Sequence, residues 1–531
     1  MTRISLLILL CSIGFSTQRS TPEDTSYTAA VVEYMVQSDS AVNLQNYIEL
    51  IQDAGSQDAD IVVFPEMTLT RRESVVIPIN GSIKEYPIPA LQPDMYDEIL
   101  VSISSAARQN QIYVVINVQE VLNCTDDATV EYCPERKVYL FNTNVVFDRN
   151  GTVIDRYRKI NLFGEFTRTP ALTPDLGIFE TDFGVTFGHY ICFDLMFQVP
   201  AVQVVEKKNI TDVVFTTMWF SEMPYLTAVE IQQAYAHSMN VNFLASGANN
   251  VAVGSAGSGI YSGEAGALIS IMPGVPTTKL LVSKVPKVPG QVEGTYPGPI
   301  YDDPSDHDNL RLITDPSLPS HVTRLLRNES EEFTLIDKDV LCHFQVKLRK
   351  REGSTGPFFR AFIQDGLHVY AKRPVGTLGC LLVACKTEDP KSCAYRYNKT
   401  EENVVIEELV IEMTSYRKHY NNTLKCDDIL YYPVSMRNNK FPLNPKNFTY
   451  KMDETRKDLE ENNEIIKHNG REHITYKLNS PQNELVSFGI WGRMFNRDGE
   501  IIYNPSKDDV HKYIEIENII YNTENQKTFR A

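Results

Sequence analysis

The chain is short of positive charge: 51 Lys and Arg stand against 68 Asp and Glu in 531 residues, a formal net charge of −17. That deficit argues against a nucleic-acid partner and against binding to an anionic membrane surface. Long hydrophobic runs are lacking too. The apolar segment Ile4 to Phe15 is too short to span a bilayer, and no later stretch reaches about 18 uninterrupted apolar residues. The last residues, Asn525 to Ala531, hold no apolar tail of the kind that precedes a lipid anchor, so no membrane anchor is expected. No internal repeat is visible. What is present, 42% hydrophobic and 22% charged residues, belongs to a folded globular protein, and the length calls for two domains.

Arg3, the short apolar core after it, and small residues at Gly14 and Ser16 predict a secretory signal peptide over 1–16. Eight Asn-x-Ser/Thr sequons, at Asn80, Asn123, Asn150, Asn209, Asn328, Asn398, Asn421 and Asn447, point the same way. The expectation is a secreted, extracellular glycoprotein. Of nine cysteines, Cys11 falls in the signal. Cys124 and Cys133 flank a polar turn and are expected to pair. Cys342, Cys380, Cys385, Cys393 and Cys426 allow two bridges with one thiol over, and their connectivity stays open. In an oxidising compartment disulfides are preferred to a metal site at Cys380-x4-Cys385-x7-Cys393.

From Tyr27 to about Ser283 strands and helices alternate. Strand-like Ala29–Met35 precedes Leu44, Tyr47, Ile48 and Ile51, an apolar helical stripe, and the pattern recurs with Tyr96, Ile99, Leu100 and Ile103 before Ile112–Val118. Asn150-Gly151 marks a hairpin turn. This is α/β patterning, assigned to residues 25–285. Prolines 286, 289, 297, 299, 304 and 316 crowd the stretch 286–325, read as a linker. Short strand-like runs such as Phe344–Leu348, Leu378–Val383 and Val404–Met413 make 326–531 a β-rich second domain.

Three segments carry reactive groups at strand ends or in loops. Cys192 follows Val185–Ile191 where a strand gives way to a helix-like turn. Glu66 closes Ile61-Val-Val-Phe-Pro-Glu66, and Lys159 lies in Arg156-Tyr-Arg-Lys-Ile-Asn-Leu-Phe-Gly-Glu165. A thiol, a base and a cation together suit covalent amide hydrolysis. Glu66 would take the thiol proton, while Lys159 and the Phe193 amide would hold the oxyanion. Glu165 would orient the lysine or the substrate amide. Singly, each has an ordinary explanation: a buried cysteine, a strand-end glutamate, a lysine on a basic solvated face. Together, in this order, they favour catalysis. Trp219, Phe220 and Tyr261 are candidate walls of a substrate pocket or plain core. His189, three residues before Cys192 on a strand, faces the other way and is expected to be structural.

The segments Val62-Val-Phe-Pro-Glu66, Arg156 to Glu165 and Cys192-Phe-Asp-Leu-Met-Phe resemble the nitrilase superfamily of carbon–nitrogen hydrolases, biotinidase/vanin branch. Met218-Trp-Phe, Leu226-Thr-Ala-Val-Glu-Ile, Asn240 to Ser246, Gly257-Ser-Gly-Ile-Tyr261 and Phe362 to His368 extend the likeness over most of the chain, which is most similar to insect vanin-like members. The resemblance implies an αββα sandwich, a Glu66–Lys159–Cys192 triad supported by Glu165, and no metal or other cofactor. It implies a small-molecule amide substrate, pantetheine or a biotinyl amide such as biocytin. Gln198-Val199-Pro200 and Met67-Thr68 depart from the vertebrate pattern beside the site, which leaves the acyl group open. Two alternatives are carried forward: a silent binding or storage glycoprotein of this fold, and a papain-like protease using His237. Oligomeric state is not legible.

Overall fold

The computed structural model describes residues 19–500, apart from 71–72, 125–132, 302–308, 352–355, 398–403, 417–428 and 456–470. The expected signal peptide, Asn398, Asn421 and Cys426 lie outside the described residues.

Three apolar clusters set the layers of the N-terminal half. Alternate residues of strand Ser26–Met35 face opposite ways: Ala29 and Val31 enter one cluster, Ala30 and Val32 another. The first sheet runs Lys279–Pro286, Ser26–Met35, Ile61–Val63, Tyr113–Asn123, Val138–Phe147, Val153–Arg158, with its middle three strands parallel. The second has Thr186–Ile191, Asp212–Thr217 and Asn242–Asn249 parallel at its centre, with antiparallel strands to either side. Val31, Ile61 and Val115 of the first sheet and Phe187, Val214 and Leu244 of the second share one buried cluster, so the sheets stack face to face. Helices Ser40–Ser56 and Glu98–Asn110 cover the outer face of the first. Helix Ala228–Met239 covers the second. The αββα order is thus the expected one.

Helix Ala228–Met239 is buried from Ala228 through Ala236, because the C-terminal half packs on its far side. That half is two five-stranded antiparallel sheets, one centred on Arg373–Cys385 and one on Val404–Tyr416. Cys342–Cys380 joins the two sheets and Cys385–Cys393 closes a strand end; Cys124–Cys133 is paired as expected. The runs Phe358–Ile363 and Leu367–Tyr370 form one strand, Phe358–Tyr370.

Within the proline-rich stretch read as a linker, 286–325, three short segments are paired with the halves on either side. Gly298–Ile300 extends the second sheet, Ile313–Thr314 pairs with Glu222–Met223, and Val322–Leu325 edges a C-terminal sheet. Proline removes a donor without preventing such short edge pairings. Asn80, Asn123, Asn150, Asn209 and Asn328 are exposed and Asn447 is half-buried. Among the described residues no helix is long and apolar enough to cross a membrane.

Candidate active site

Glu66, Lys159, Cys192 and Met218 each follow a strand: Ile61–Val63 by three residues, and Val153–Arg158, Thr186–Ile191 and Asp212–Thr217 directly. These strands run in one direction within their sheets, so the side chains beyond their ends meet at one edge of the sandwich, where α/β folds place ligand sites. Cys192 begins the short helical turn Cys192–Met196 with a left-handed φ of 49°, an unusual conformation for a residue with a Cβ. Asp194 holds that turn. Buried in it, Asp194 accepts hydrogen bonds from Tyr157 Oη at 2.6 Å, the Asn161 amide at 2.8 Å and Asn161 Nδ2 at 2.9 Å.

Lys159 Nζ lies 2.8 Å from Glu66 Oε1 and 3.0 Å from Glu165 Oε2. Burial alone would lower the ammonium, but Glu165 and Glu66, and then Cys192, outweigh it and hold Lys159 well above its ordinary value. It therefore stays charged. Glu66 is buried, and its other oxygen accepts the Met218 amide at 2.8 Å. Burial, and after it the Glu66 carboxylate, raise the Cys192 thiol well above its ordinary value, with Lys159 opposing. The resting sulfur is thus a neutral thiol beside a carboxylate. Cys192 is the free cysteine among the described residues.

Asn142 was not singled out from the sequence. Its Nδ2 donates to Glu66 at 2.7 Å and Glu165 at 2.6 Å, while its Oδ1 accepts Asn117 Nδ2 at 2.8 Å. The signal available was the pair Asn142 and Asn144 within the apolar strand Val138–Phe147, since a buried amide needs partners. Arg156 and Arg158 both pair with the buried carboxylate of Glu120.

A pocket opens from the Cys192 sulfur. Phe163, Phe193, Met196, Trp219, Phe220 and Leu226 line it, together with Glu222, Ile313 and Tyr370. Trp219 is fixed by its Nε1 donating to the Leu226 carbonyl at 2.8 Å, and Phe220 stacks on Phe163. Tyr261 does not line it. The Tyr261 ring is fully buried in the core, its hydroxyl bonded to Gln232 at 2.9 Å, because the strand Ser258–Ser262 turns it under helix Ala228–Met239. His189 is buried and bonded to Asp155 at 2.7 Å, a structural place. His237, the histidine a papain-like reading requires, packs against Phe448 and Tyr450.

A carbon-nitrogen hydrolase family model matches residues 28–265, and a vanin C-terminal domain model matches 310–498. The chain is 31% identical to "Vanin-like protein 2" of Drosophila melanogaster over 521 residues, covering 93% of this chain and 94% of that protein. It is 32% identical to human "Biotinidase" over 283 residues, 51% of each chain. With mouse "Pantetheinase" the identity is 28% over 416 residues, 72% of this chain and 79% of that one. With both halves matched in order, and a relative aligned along almost its whole length, the chain belongs to the vanin branch of the carbon–nitrogen hydrolases.

Proposed function

We propose that this protein is a secreted amidase that cleaves a small, non-peptide carboxamide through a thioester on Cys192. The observation that supports this is the buried Glu66–Lys159 pair, 2.8 Å apart, beside the Cys192 thiol, which lines an apolar pocket. A neutral thiol needs a base, and the Glu66 carboxylate supplies it. The proton passes to Glu66 as sulfur bonds to the substrate carbonyl carbon. Lys159, which stays charged, and the Phe193 amide stabilise the oxyanion that forms. Collapse breaks the C–N bond, and Glu66 returns the proton to the leaving amine. A water, deprotonated by the same carboxylate, then attacks the thioester and releases the acid and the thiol. Glu165 acts by holding Lys159 together with Glu66, its carboxylate 3.0 Å from Nζ.

The relatives named pantetheinase and biotinidase support two acyl groups. Pantetheine would give pantothenate and cysteamine; biocytin would give biotin and lysine. Three disulfides and five exposed sequons support export. The test is incubation of the mature protein with a fluorogenic pantothenyl amide and a biotinyl amide, beside Cys192→Ala. The expected result is turnover of one of them by the parent and none by the variant. Turnover of neither by the parent would transfer the case to a binding glycoprotein.

A further inference from the structure

The apolar pocket has one charged wall. Glu222 sits on the two-residue strand Glu222–Met223, pinned beside the pocket by reciprocal backbone bonds with Leu226, 3.2 and 2.9 Å long. Next to it is Tyr370, which comes from the C-terminal sheets yet lines the same cavity. Tyr370 is 5% exposed, and its hydroxyl has no hydrogen-bond partner among the described residues. Burial, with Glu222 and Asp315 adding to it, raises this phenol well above its ordinary value, so it remains a neutral donor. Behind the pair lies His368, 3.6 Å from Glu222 and 3.6 Å from Asp315. Its ring packs on Tyr370 with centroids 4.1 Å apart.

Glu222, Asp315 and His368 present oxygen and nitrogen atoms close enough to hold a metal ion. Asp315, however, already accepts the Ser317 amide and hydroxyl, each at 2.7 Å, and the Tyr225 hydroxyl on its other oxygen. Donors thus already point at the oxygens a cation would need. What the cluster does is fix a histidine between two carboxylates and, through it, fix Glu222 and the Tyr370 ring at the pocket wall.

We propose that Glu222 and Tyr370 are specificity-determining residues that read a hydrogen-bonding group, a hydroxyl or an N–H, on the acyl chain of the substrate. This rests on the reading of Cys192 as the acyl acceptor, which makes this pocket the acyl site. A hydroxyl or N–H entering here meets a carboxylate acceptor in a water-poor setting, where a charge-assisted bond is strong. A hydroxyl also offers the Tyr370 phenol an acceptor. An alkyl chain of equal length satisfies neither, and sites built for such groups reject analogues that lack them. The C-terminal half would in this way take part in substrate choice, besides covering one side of the catalytic sandwich.

The test uses the full-length mature protein and coumarin amides of straight-chain acids, comparing a hydroxyl at each successive carbon with the methyl-for-hydroxyl counterpart. The parent is expected to prefer the hydroxylated member by tenfold or more in kcat/KM at one chain position. Tyr370→Phe and Glu222→Gln are each expected to reduce that preference by about tenfold, a ratio that general damage to the fold would not change. Equal rates for both members at every position would overturn the proposal, as would variants that slow both equally. The same pairs are titrated into Cys192→Ala by calorimetry. A binding preference there without turnover by the parent would refute the thioester reaction and keep the reading residues. Turnover without preference would do the reverse.

Discussion

At Asn142 a single amide nitrogen serves two carboxylates, Glu66 and Glu165, and both of these also bind Lys159. A buried and a half-buried carboxylate this close repel each other unless a cation and donors hold them. Asn142 therefore sets the position of the proposed base while touching no reacting atom itself. Replacing it with Ala removes both bonds and leaves Glu66 held by Lys159 and the Met218 amide alone. Because misplacing a catalytic group by about 1 Å costs roughly 10²-fold, Asn142→Ala is expected to lower kcat by 10- to 100-fold, with KM changed much less. Steady-state kinetics on the better amide checks this, and a rise in KM at constant kcat would contradict it. Glu66, Lys159 and Cys192 were legible as candidates in the sequence because each is a reactive residue type at a strand end or in the loop beyond it. Asn142 was not, because its role depends on cross-strand register: it faces Gln119 across the ladder, bonds the diagonal Asn117 and reaches a carboxylate 76 residues away.

Helix Ala228–Met239 opens with a capping box in which Glu230 accepts bonds from the Thr227 amide at 3.3 Å and hydroxyl at 3.0 Å. The helix lies between a sheet and the C-terminal half, so this capping carboxylate is buried where most are wet. Burial lifts Glu230 to about 8 from its ordinary 4.5, with the Thr227 bonds opposing. A folded-state pKa above the unfolded one means that the native state holds the proton more tightly. The associated stability is full below the unfolded pKa and is lost as pH rises through the folded one. Asp194 and Asp212, also raised by burial, reach only about 6. Between about pH 6.5 and pH 8 the loss is therefore assigned to Glu230, on the order of 2 kcal/mol. Glu230→Gln should flatten the unfolding free energy across that window, as read by urea titration at several pH values. An unchanged slope would show that another group titrates. The elements themselves were readable where apolar periodicity was strong, as in Ser40–Ser56 and Glu98–Asn110. Strand Leu485–Met494 was missed: it is buried on both faces, so it lacks alternation, and it carries Gly489 and Gly492, where a Cβ would strike the neighbouring strands. Strand Ile429–Arg437 was masked by Pro433.

Across the whole molecule, the C-terminal half grips the turn that bears the nucleophile. Arg493, fully buried, donates through Nε to the Met196 carbonyl at 2.8 Å and through Nη1 to the Gly376 carbonyl, and it pairs with both oxygens of Asp498 at 2.9 Å. Arg373 adds a bond to Asn161 at 3.1 Å and lies over the Phe197 ring. Met196 closes the turn Cys192–Met196, and Asn161 binds Asp194 within it, so both arginines act on the backbone that aims the sulfur. None of this was legible in the sequence, where Arg493 and Cys192 are 301 positions apart and the proline-rich stretch between the halves read as a spacer. Removing Arg493 leaves the Met196 and Gly376 carbonyls without their donor, while half-buried Asp498 can turn to water, and a buried polar group left unsatisfied typically costs about 1–3 kcal/mol. Arg493→Met should therefore lower the unfolding free energy by about that amount in denaturant titration. It should also lower kcat at temperatures where the variant is still folded, since the turn loses its outer support while the pocket residues remain. If Arg493→Met lost stability but kept the parent kcat, the C-terminal half would be a brace for the fold alone, and the aim of Cys192 would be set wholly by Asp194, Asn161 and Tyr157 inside the sandwich.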